Sequence, residues 1–214
     1  MSPAKRAFDL AASMVGLIVL SPLLLGCAVA AKLHDGGPML FRHRRVGRGG
    51  EEFQMLKFRS MMVDADKIGG PLTVGADARI TPIGRILRKS KLDELPQLFN
   101  VLAGEMSFVG PRPEVAKYVA LYNADERRVL ELTPGITDPA SIAFAGENEL
   151  LAAQPDPERY YIETIMPRKI AINLAYAENA TVFSDVFTIL KTFVRIFTPA
   201  ADEVSPSSAR ERRL

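Results

Sequence analysis

"LAASMVGLIVLSPLLLGCAVAA", Leu10 to Ala31, is uncharged throughout, and its reading decides the architecture. As one straight helix of about 22 residues it would reach roughly 33 Å, enough to cross a bilayer. Ser21-Pro22 divides it into halves of about 11 residues, roughly 16 Å each, or half the hydrocarbon thickness. Proline removes a backbone donor and crowds the preceding turn, while a serine hydroxyl can satisfy the carbonyl so freed. A sharp bend is therefore tolerable at Ser21-Pro22, although a kinked spanning helix is allowed on the same grounds. The flanks separate the two: Lys5 and Arg6 precede the run, and Lys32, Arg42, Arg44, Arg45 and Arg48 follow it. Cytoplasmic flanks are the ones enriched in Lys and Arg, so the simplest topology keeps both ends on the cytoplasmic side. Residues 1–33 are expected to form a re-entrant hairpin. A competing reading is a cleaved export signal, with a basic start, Ala28-Val29-Ala30 and an "LLGC" ending at Cys27 that loosely resembles a lipoprotein box. Against it, the run exceeds the usual signal core of about 7 to 15 residues and carries Pro22 in its middle.

Working outward, 214 residues suit one domain with attachments. The hydrophobic and charged fractions are globular, but a mean hydropathy of +0.07 is high for a wholly water-exposed protein. Formal charge is +2, an average over a basic stretch from Arg42 to Arg59 and more acidic segments beyond. Cys27 is the sole cysteine, which excludes an intramolecular disulfide and a multi-cysteine metal site. His34 and His43 are too few for zinc and are expected as solvated loop residues.

"MLFRHRRVG" and "EEFQMLKFRSM" flank Arg48-Gly49-Gly50 and predict a β-hairpin. Met62 to Ile68 reads as a short helix, followed by a loop through "GGPLTVGADARITP". Pro82 opens a helix through Arg88, and Leu95, Leu98, Phe99 and Leu102 recur at helical spacing after it. Between these lie Asp93 and Glu94. Asp93 fits an N-cap, with Pro96 in the first turn, so the pair is expected at a positive helix end. One reading is that the two carboxylates only cap the helix. The other rests on the surroundings: Arg85, Arg88, Lys89 and Lys91 precede the pair, and "GEMSFVGPRP" with Arg112 follows. Helix amides and arginine forks favour phosphate oxygens, and carboxylates can hold Mg²⁺ against them. Lys57 and Arg59 are further candidates for a diphosphate or anionic lipid heads, although solvent-facing strands often carry such residues.

Further on, "ELTPGITDPAS" holds a Pro134-Gly135 turn, and Tyr160 and Tyr161 read as packing residues. "DVFTILKTFVRIF" places Val186, Phe187, Leu190, Phe193, Val194 and Phe197 along one helical side, with core packing expected and membrane-surface contact the alternative. Residues 200–214 lack apolar periodicity and read as a disordered basic tail.

The sequence motifs "KRAFDL" before the Ser-Pro-broken run, "FRHRRVGRGGEEFQMLKFRSM", "LRKSKLDELPQLFNVLAGEMSFVGPRP" and "TPGIT", in this order, resemble the small monotopic phosphoglycosyl transferases among the bacterial sugar transferases. The resemblance covers almost the whole chain. It implies an α/β fold of the α+β kind: a mostly helical catalytic domain, 34–199, with a small β-hairpin, beside the re-entrant membrane helix. It also implies a protein of the bacterial inner membrane with its catalytic domain on the cytoplasmic face. The expected partners are a UDP-sugar donor, polyprenyl phosphate as acceptor, membrane lipids, and downstream glycosyltransferases, with a homo-oligomer left open and no nucleic acid. The expected cofactor is Mg²⁺. By the same resemblance Asp93 matches the nucleophile of a catalytic acidic dyad and Glu94 its partner, with both as metal candidates, and Arg88 and Arg112 match residues near the phosphate. Asp138-Pro139 departs from the Gly-Trp that many relatives carry after "PGIT", which puts donor-sugar specificity in question. The alternatives are direct displacement in a ternary complex without covalent capture, and a membrane-tethered scaffold whose acidic pair only caps a helix.

Overall fold

A computed structural model describes residues 1–68, 75 and 77–198. The tail assigned to 200–214 and much of the glycine-rich loop lie outside the described residues.

Two N-terminal helices, α1 (Pro3–Val19) and α2 (Ser21–Asp35), meet at Leu20 with a bend of 65°. The bend falls where Ser21-Pro22 predicts it. The Ser21 hydroxyl donates to the Ile18 carbonyl at 2.8 Å, replacing the amide that Pro22 lacks. No single helix among the described residues is long and apolar enough to cross a membrane, whereas the bent pair passes the same test of length and composition.

The base of α1 is not a free leader. Lys5 pairs with Asp185, and the Arg6 guanidinium donates to the Val101 and Leu102 carbonyls at 2.6 and 2.9 Å. Asp9, fully buried, accepts from the Phe108 amide at 3.3 Å, and Ser13 donates to the Asp9 carbonyl. The segment that an export signal would discard thus carries tertiary contacts. From Met14 onward the character changes: Met14, Val15, Ile18, Val19, Leu25 and Val29 are exposed.

The hairpin forms as expected, with β1 (Leu40–Val46) antiparallel to β2 (Glu52–Phe58) around a turn in which Gly49 and Gly50 take positive φ. The short helix after it is confined to α3 (Ala65–Ile68), and α4 (Pro82–Lys89) is capped by the Thr81 hydroxyl. A 3₁₀ turn over Leu92–Glu94 leads into α5 (Gln97–Ala103). The sequence reading missed a parallel pair, β3 (Ser107–Val109) with β4 (Gly135–Thr137), because three-residue strands leave too little pattern to read. Pro134-Gly135 is therefore a strand entry, where a Cβ on Gly135 would lie 2.1 Å from the Gly110 nitrogen. Short helices α6 (Ala116–Val119), α7 (Pro139–Ala143), α8 (Glu147–Ala152) and α9 (Pro157–Tyr160) precede a π turn, Tyr161–Ile165, and then α10 (Met166–Glu178) and α11 (Val182–Phe197). The fold is mostly helical with two small sheets, and its main core gathers Tyr118, Phe144, Leu151, Tyr161, Ile165 and Met166.

Helix α11 overturns the expectation of core packing. Its inward side is polar: Asp185 and Thr188 are buried, Asp185 accepts from the Tyr176 hydroxyl at 2.7 Å, and Thr192 meets Thr137 at 2.6 Å. Its apolar side faces outward, with Phe183 84% exposed and Phe187, Leu190, Phe193 and Val194 more than half exposed. Hydrogen bonds hold this helix to the fold, leaving Phe183, Phe187 and Phe193 exposed.

Gly84 fixes how α4 meets the segment after β2. A Cβ there would lie 1.9 Å from the Ser60 carbonyl oxygen, so only glycine allows the approach. The same approach lets Arg88 Nε donate to Ser60 Oγ at 2.8 Å. Gly84→Ala is expected to cost about 1 to 3 kcal/mol through this overpacking. A thermal denaturation midpoint equal to that of the unsubstituted chain would contradict the close approach.

Candidate active site

Leu92 and Leu95 pack against a small core of Cys27, Phe58 and Leu87 contributed by α2, β2 and α4. Between those two anchors, the 3₁₀ turn presents Asp93 and Glu94 to a cleft of about 860 Å³. Lys91, in a left-handed conformation at φ 57, ends the α4 segment and starts the turn.

Asp93 does not cap a helix. Neither the 3₁₀ turn nor α5 has a side-chain cap, and α5 begins at Gln97 behind Pro96. Pro96 and the tight turn separate the pair from the helix start that the sequence suggested. Asp93 is 5% exposed and its Oδ1 is buried without a hydrogen-bond partner. A capping role would have supplied one.

Glu94 is the opposite case. Arg112 grips it with both terminal nitrogens, Nη1 donating to Oε2 at 3.1 Å and Nη2 to Oε1, while Lys57 Nζ approaches Oε1 at 3.4 Å. Burial would raise Glu94, but Arg112 and Lys57 outweigh it and hold the carboxyl far below the usual range. Burial, reinforced by the Glu94 charge, raises the Asp93 carboxyl against the pull of Lys57, Lys91 and Arg88. Two adjacent carboxylates thereby divide: Glu94 stays ionised to anchor cations, and Asp93 becomes the more basic, uncommitted oxygen.

Burial pushes Lys57 down to about 8 despite Glu94. Arg88 lines the same cleft and acts electrostatically on Asp93, so the structure brings Lys57, Arg88 and Arg112 together around the pair. Arg59 has other work. Its guanidinium is paired with Asp35 and also donates to the Pro38 and Ala31 carbonyls at 2.7 and 3.1 Å. With all three nitrogens committed, Arg59 ties β2 to the end of α2 instead of offering itself to phosphate.

Alternation in the hairpin explains residues that the sequence reading passed over. Register places His43 opposite Met55 and Arg45 opposite Phe53, on the face that also carries Lys57. His43 is a half-buried strand residue and not a solvated loop residue; burial, then Arg45, Lys57 and Arg112, push it down to about 3. Arg45 donates to Glu114 Oε1 at 3.0 Å, and the Tyr161 hydroxyl donates to the other oxygen of Glu114. Tyr161 also packs on Tyr118 with ring centroids 5.1 Å apart, so it serves packing and the cleft wall together. Asp138, the departure noted after "PGIT", is fully buried and caps α7 by accepting from the Ser141 amide at 2.9 Å. Pro139 occupies the first turn of that helix, where no donor is missed.

Among the described residues, no three His, Cys, Asp or Glu side chains gather as a metal site. A divalent cation would instead take Asp93, with its unpartnered oxygen, and Glu94, completing its shell with phosphate oxygens and water. That donor set suits Mg²⁺, which keeps waters and is usually held by one or two carboxylates with substrate phosphates.

The geometry defines a cleft in which a buried carboxylate oxygen without a partner lies beside the cations Lys57, Arg88 and Arg112. The family model described as bacterial sugar transferase matches residues 1–199, and the chain belongs to that family. It is 35% identical over 199 residues to the UDP-N-acetylgalactosamine-undecaprenyl-phosphate N-acetylgalactosaminephosphotransferase of Aeromonas hydrophila, covering 91% of this chain and 44% of that protein. It is 35% identical over 204 residues to the exopolysaccharide production protein ExoY of Rhizobium meliloti (strain 1021), covering 88% and 83%. Against the UDP-glucose:undecaprenyl-phosphate glucose-1-phosphate transferase of Xanthomonas campestris pv. campestris, identity is 39% over 199 residues, covering 90% and 38%. The chain thus spans less than half of the Aeromonas and Xanthomonas proteins and most of ExoY.

Proposed function

We propose that the chain transfers a sugar 1-phosphate from a UDP-sugar to polyprenyl phosphate, undecaprenyl phosphate in particular, giving polyprenyl-diphosphate-sugar and UMP. Such a step begins the membrane-bound assembly of a glycoconjugate, which downstream glycosyltransferases extend. The observation that carries this reading is the buried, unpartnered Asp93 oxygen in a cleft ringed by Lys57, Arg88 and Arg112. The names of the Aeromonas and Xanthomonas relatives support the same class of reaction.

In the proposed mechanism, an Asp93 carboxylate oxygen attacks the sugar-linked phosphorus of the donor. The bond from that phosphorus to the bridging oxygen breaks, and UMP leaves with the electron pair. An acyl phosphate of the sugar remains on Asp93. A phosphate oxygen of the lipid then attacks the same phosphorus and returns the carboxylate. Attack by an anion on an anion needs charge neutralised in advance, which Lys57, Arg88 and Arg112 would supply from fixed positions. Mg²⁺, held by Asp93 and Glu94, would add Lewis-acid neutralisation of the phosphate oxygens.

Membrane attachment follows the same reading. The exposed apolar residues of the bent α1–α2 pair suit a re-entrant insertion, and the outward face of α11 suits the interfacial layer beside it. Arg59, two residues after Lys57 and paired with Asp35 at the end of α2, would couple the catalytic hairpin to the inserted segment. The catalytic domain would then sit at the cytoplasmic face, where a lipid phosphate and a soluble nucleotide sugar can meet.

The test is transfer in vesicles containing polyprenyl phosphate, with Mg²⁺ and a panel of UDP-sugars. A lipid-linked sugar diphosphate and an equal amount of UMP are expected with at least one donor. A binding or scaffold protein would consume none.

A further inference from the structure

Asn173 lies on α10, is 6% exposed and lines the cleft. Among the described residues nothing hydrogen-bonds its carboxamide. The side chain is buried as a whole, but its amide atoms still reach the open cleft with their hydrogen-bonding capacity unspent. One turn earlier, at i−4 and so on the same helix face, Lys169 Nζ pairs with Glu147 Oε2 at 2.8 Å across to α8. Glu147 and Lys169 line the cleft as well.

This group sits at the end of a polar wall that starts at the dyad. Glu94 holds Arg112, Arg45 adjoins Arg112 and pairs with Glu114, and Glu114 accepts from Tyr161. Tyr161 and Glu147 both line the cleft, and burial, then Glu114 and Glu147, raise the Tyr161 phenol. Lys57, Arg88, Arg112 and Asn173 line one cleft, so a donor whose diphosphate lay at the three cations would share that cleft with Asn173. The lining there differs from the phosphate end: Lys169 is already neutralised by Glu147, which leaves the amide to read uncharged groups.

We infer that Asn173, one turn along α10 from Lys169 of the Glu147–Lys169 pair, is a specificity-determining residue that hydrogen-bonds an uncharged polar edge of the nucleotide-sugar donor. A carboxamide both donates and accepts, which matches hexose hydroxyl or acetamido groups and equally the uracil edge. This inference rests on the transferase reading above.

The experiment uses the full chain in detergent with Mg²⁺ and polyprenyl phosphate. Wild type, Asn173→Asp and Asn173→Leu are compared on UDP-glucose, UDP-galactose, UDP-N-acetylglucosamine and UDP-N-acetylgalactosamine, with UMP affinity measured separately by calorimetry. Asn173→Asp keeps the side-chain shape if the leucine variant fails to fold. Loss of one such hydrogen bond is expected to change kcat/KM by about 10-fold, mainly through KM. A change in the ratio between donors with UMP affinity intact assigns the subsite to the sugar, and an equal loss in UMP affinity assigns it to uracil. If folded variants keep wild-type donor ratios, KM and UMP affinity, the inference is overturned while the transferase reading stands. If wild type itself turns over no donor, the transferase reading falls and takes this inference with it.

Discussion

Asp93→Asn is expected to abolish transfer, lowering kcat by at least about 1,000-fold, while the chain stays folded. Amide for carboxylate preserves the volume in the 3₁₀ turn, and Oδ1 has no hydrogen bond to lose. The deeper readout is intact mass after incubation with Mg²⁺ and UDP-sugar in the absence of lipid. Wild type should gain the mass of one phosphosugar, and Asp93→Asn none. Competent turnover with lipid but no adduct without it would remove the covalent step and favour direct displacement in a ternary complex. Retention of full activity by the variant would remove Asp93 from the chemistry altogether. The division within the dyad sharpens the expectation, because both Glu94 oxygens accept from Arg112 or Lys57, which lowers their nucleophilicity, whereas Asp93 Oδ1 has no partner.

The N-cap position expected for Asp93, which the structure does not show, reveals what sequence patterns carry. Leu95, Leu98, Phe99 and Leu102 announce a helix by their spacing, but where it begins depends on Lys91 taking a left-handed turn and on Leu92 and Leu95 finding Cys27, Phe58 and Leu87. Those contacts are long-range and leave no local mark. The bend at Ser21-Pro22 was legible because its cause is local: a missing amide and a hydroxyl one residue away. The α11 stripe was legible as a stripe, yet periodicity does not say which side of an amphipathic helix meets protein. Asp185 and Thr188 inside and the phenylalanines outside reverse the usual arrangement. Arg59 and Lys57 share a basic strand and look equivalent in sequence. Only Asp35, 24 positions before Arg59, distinguishes them. Glu147, Lys169 and Asn173 carried no signal because nothing in their spacing foretells that α8 meets α10 at the cleft.

Arg112→Met is expected to lose both stability and activity, and a second substitution separates the two. Removing the guanidinium leaves Glu94 buried with Lys57 as its remaining partner at 3.4 Å. Breaking a buried pair from one side commonly costs about 3 to 5 kcal/mol; partial exposure of Arg112 and the remaining lysine bring the expectation to about 2 to 3 kcal/mol. Arg112→Lys should restore only part of this, since a single ammonium cannot reproduce the two-nitrogen grip on Glu94 or the additional bond to the Ile136 carbonyl at 3.3 Å. Combining Arg112→Met with Glu94→Gln removes the stranded charge, so chemical denaturation should show stability recovered to within about 1 kcal/mol of wild type. Transfer should remain lost in the double variant, because the Arg112 cation is still missing and Glu94 no longer offers a carboxylate to Mg²⁺. If activity returned together with stability, Arg112 would be a structural partner of Glu94 alone, and phosphate neutralisation would have to come from Arg88 and Lys57.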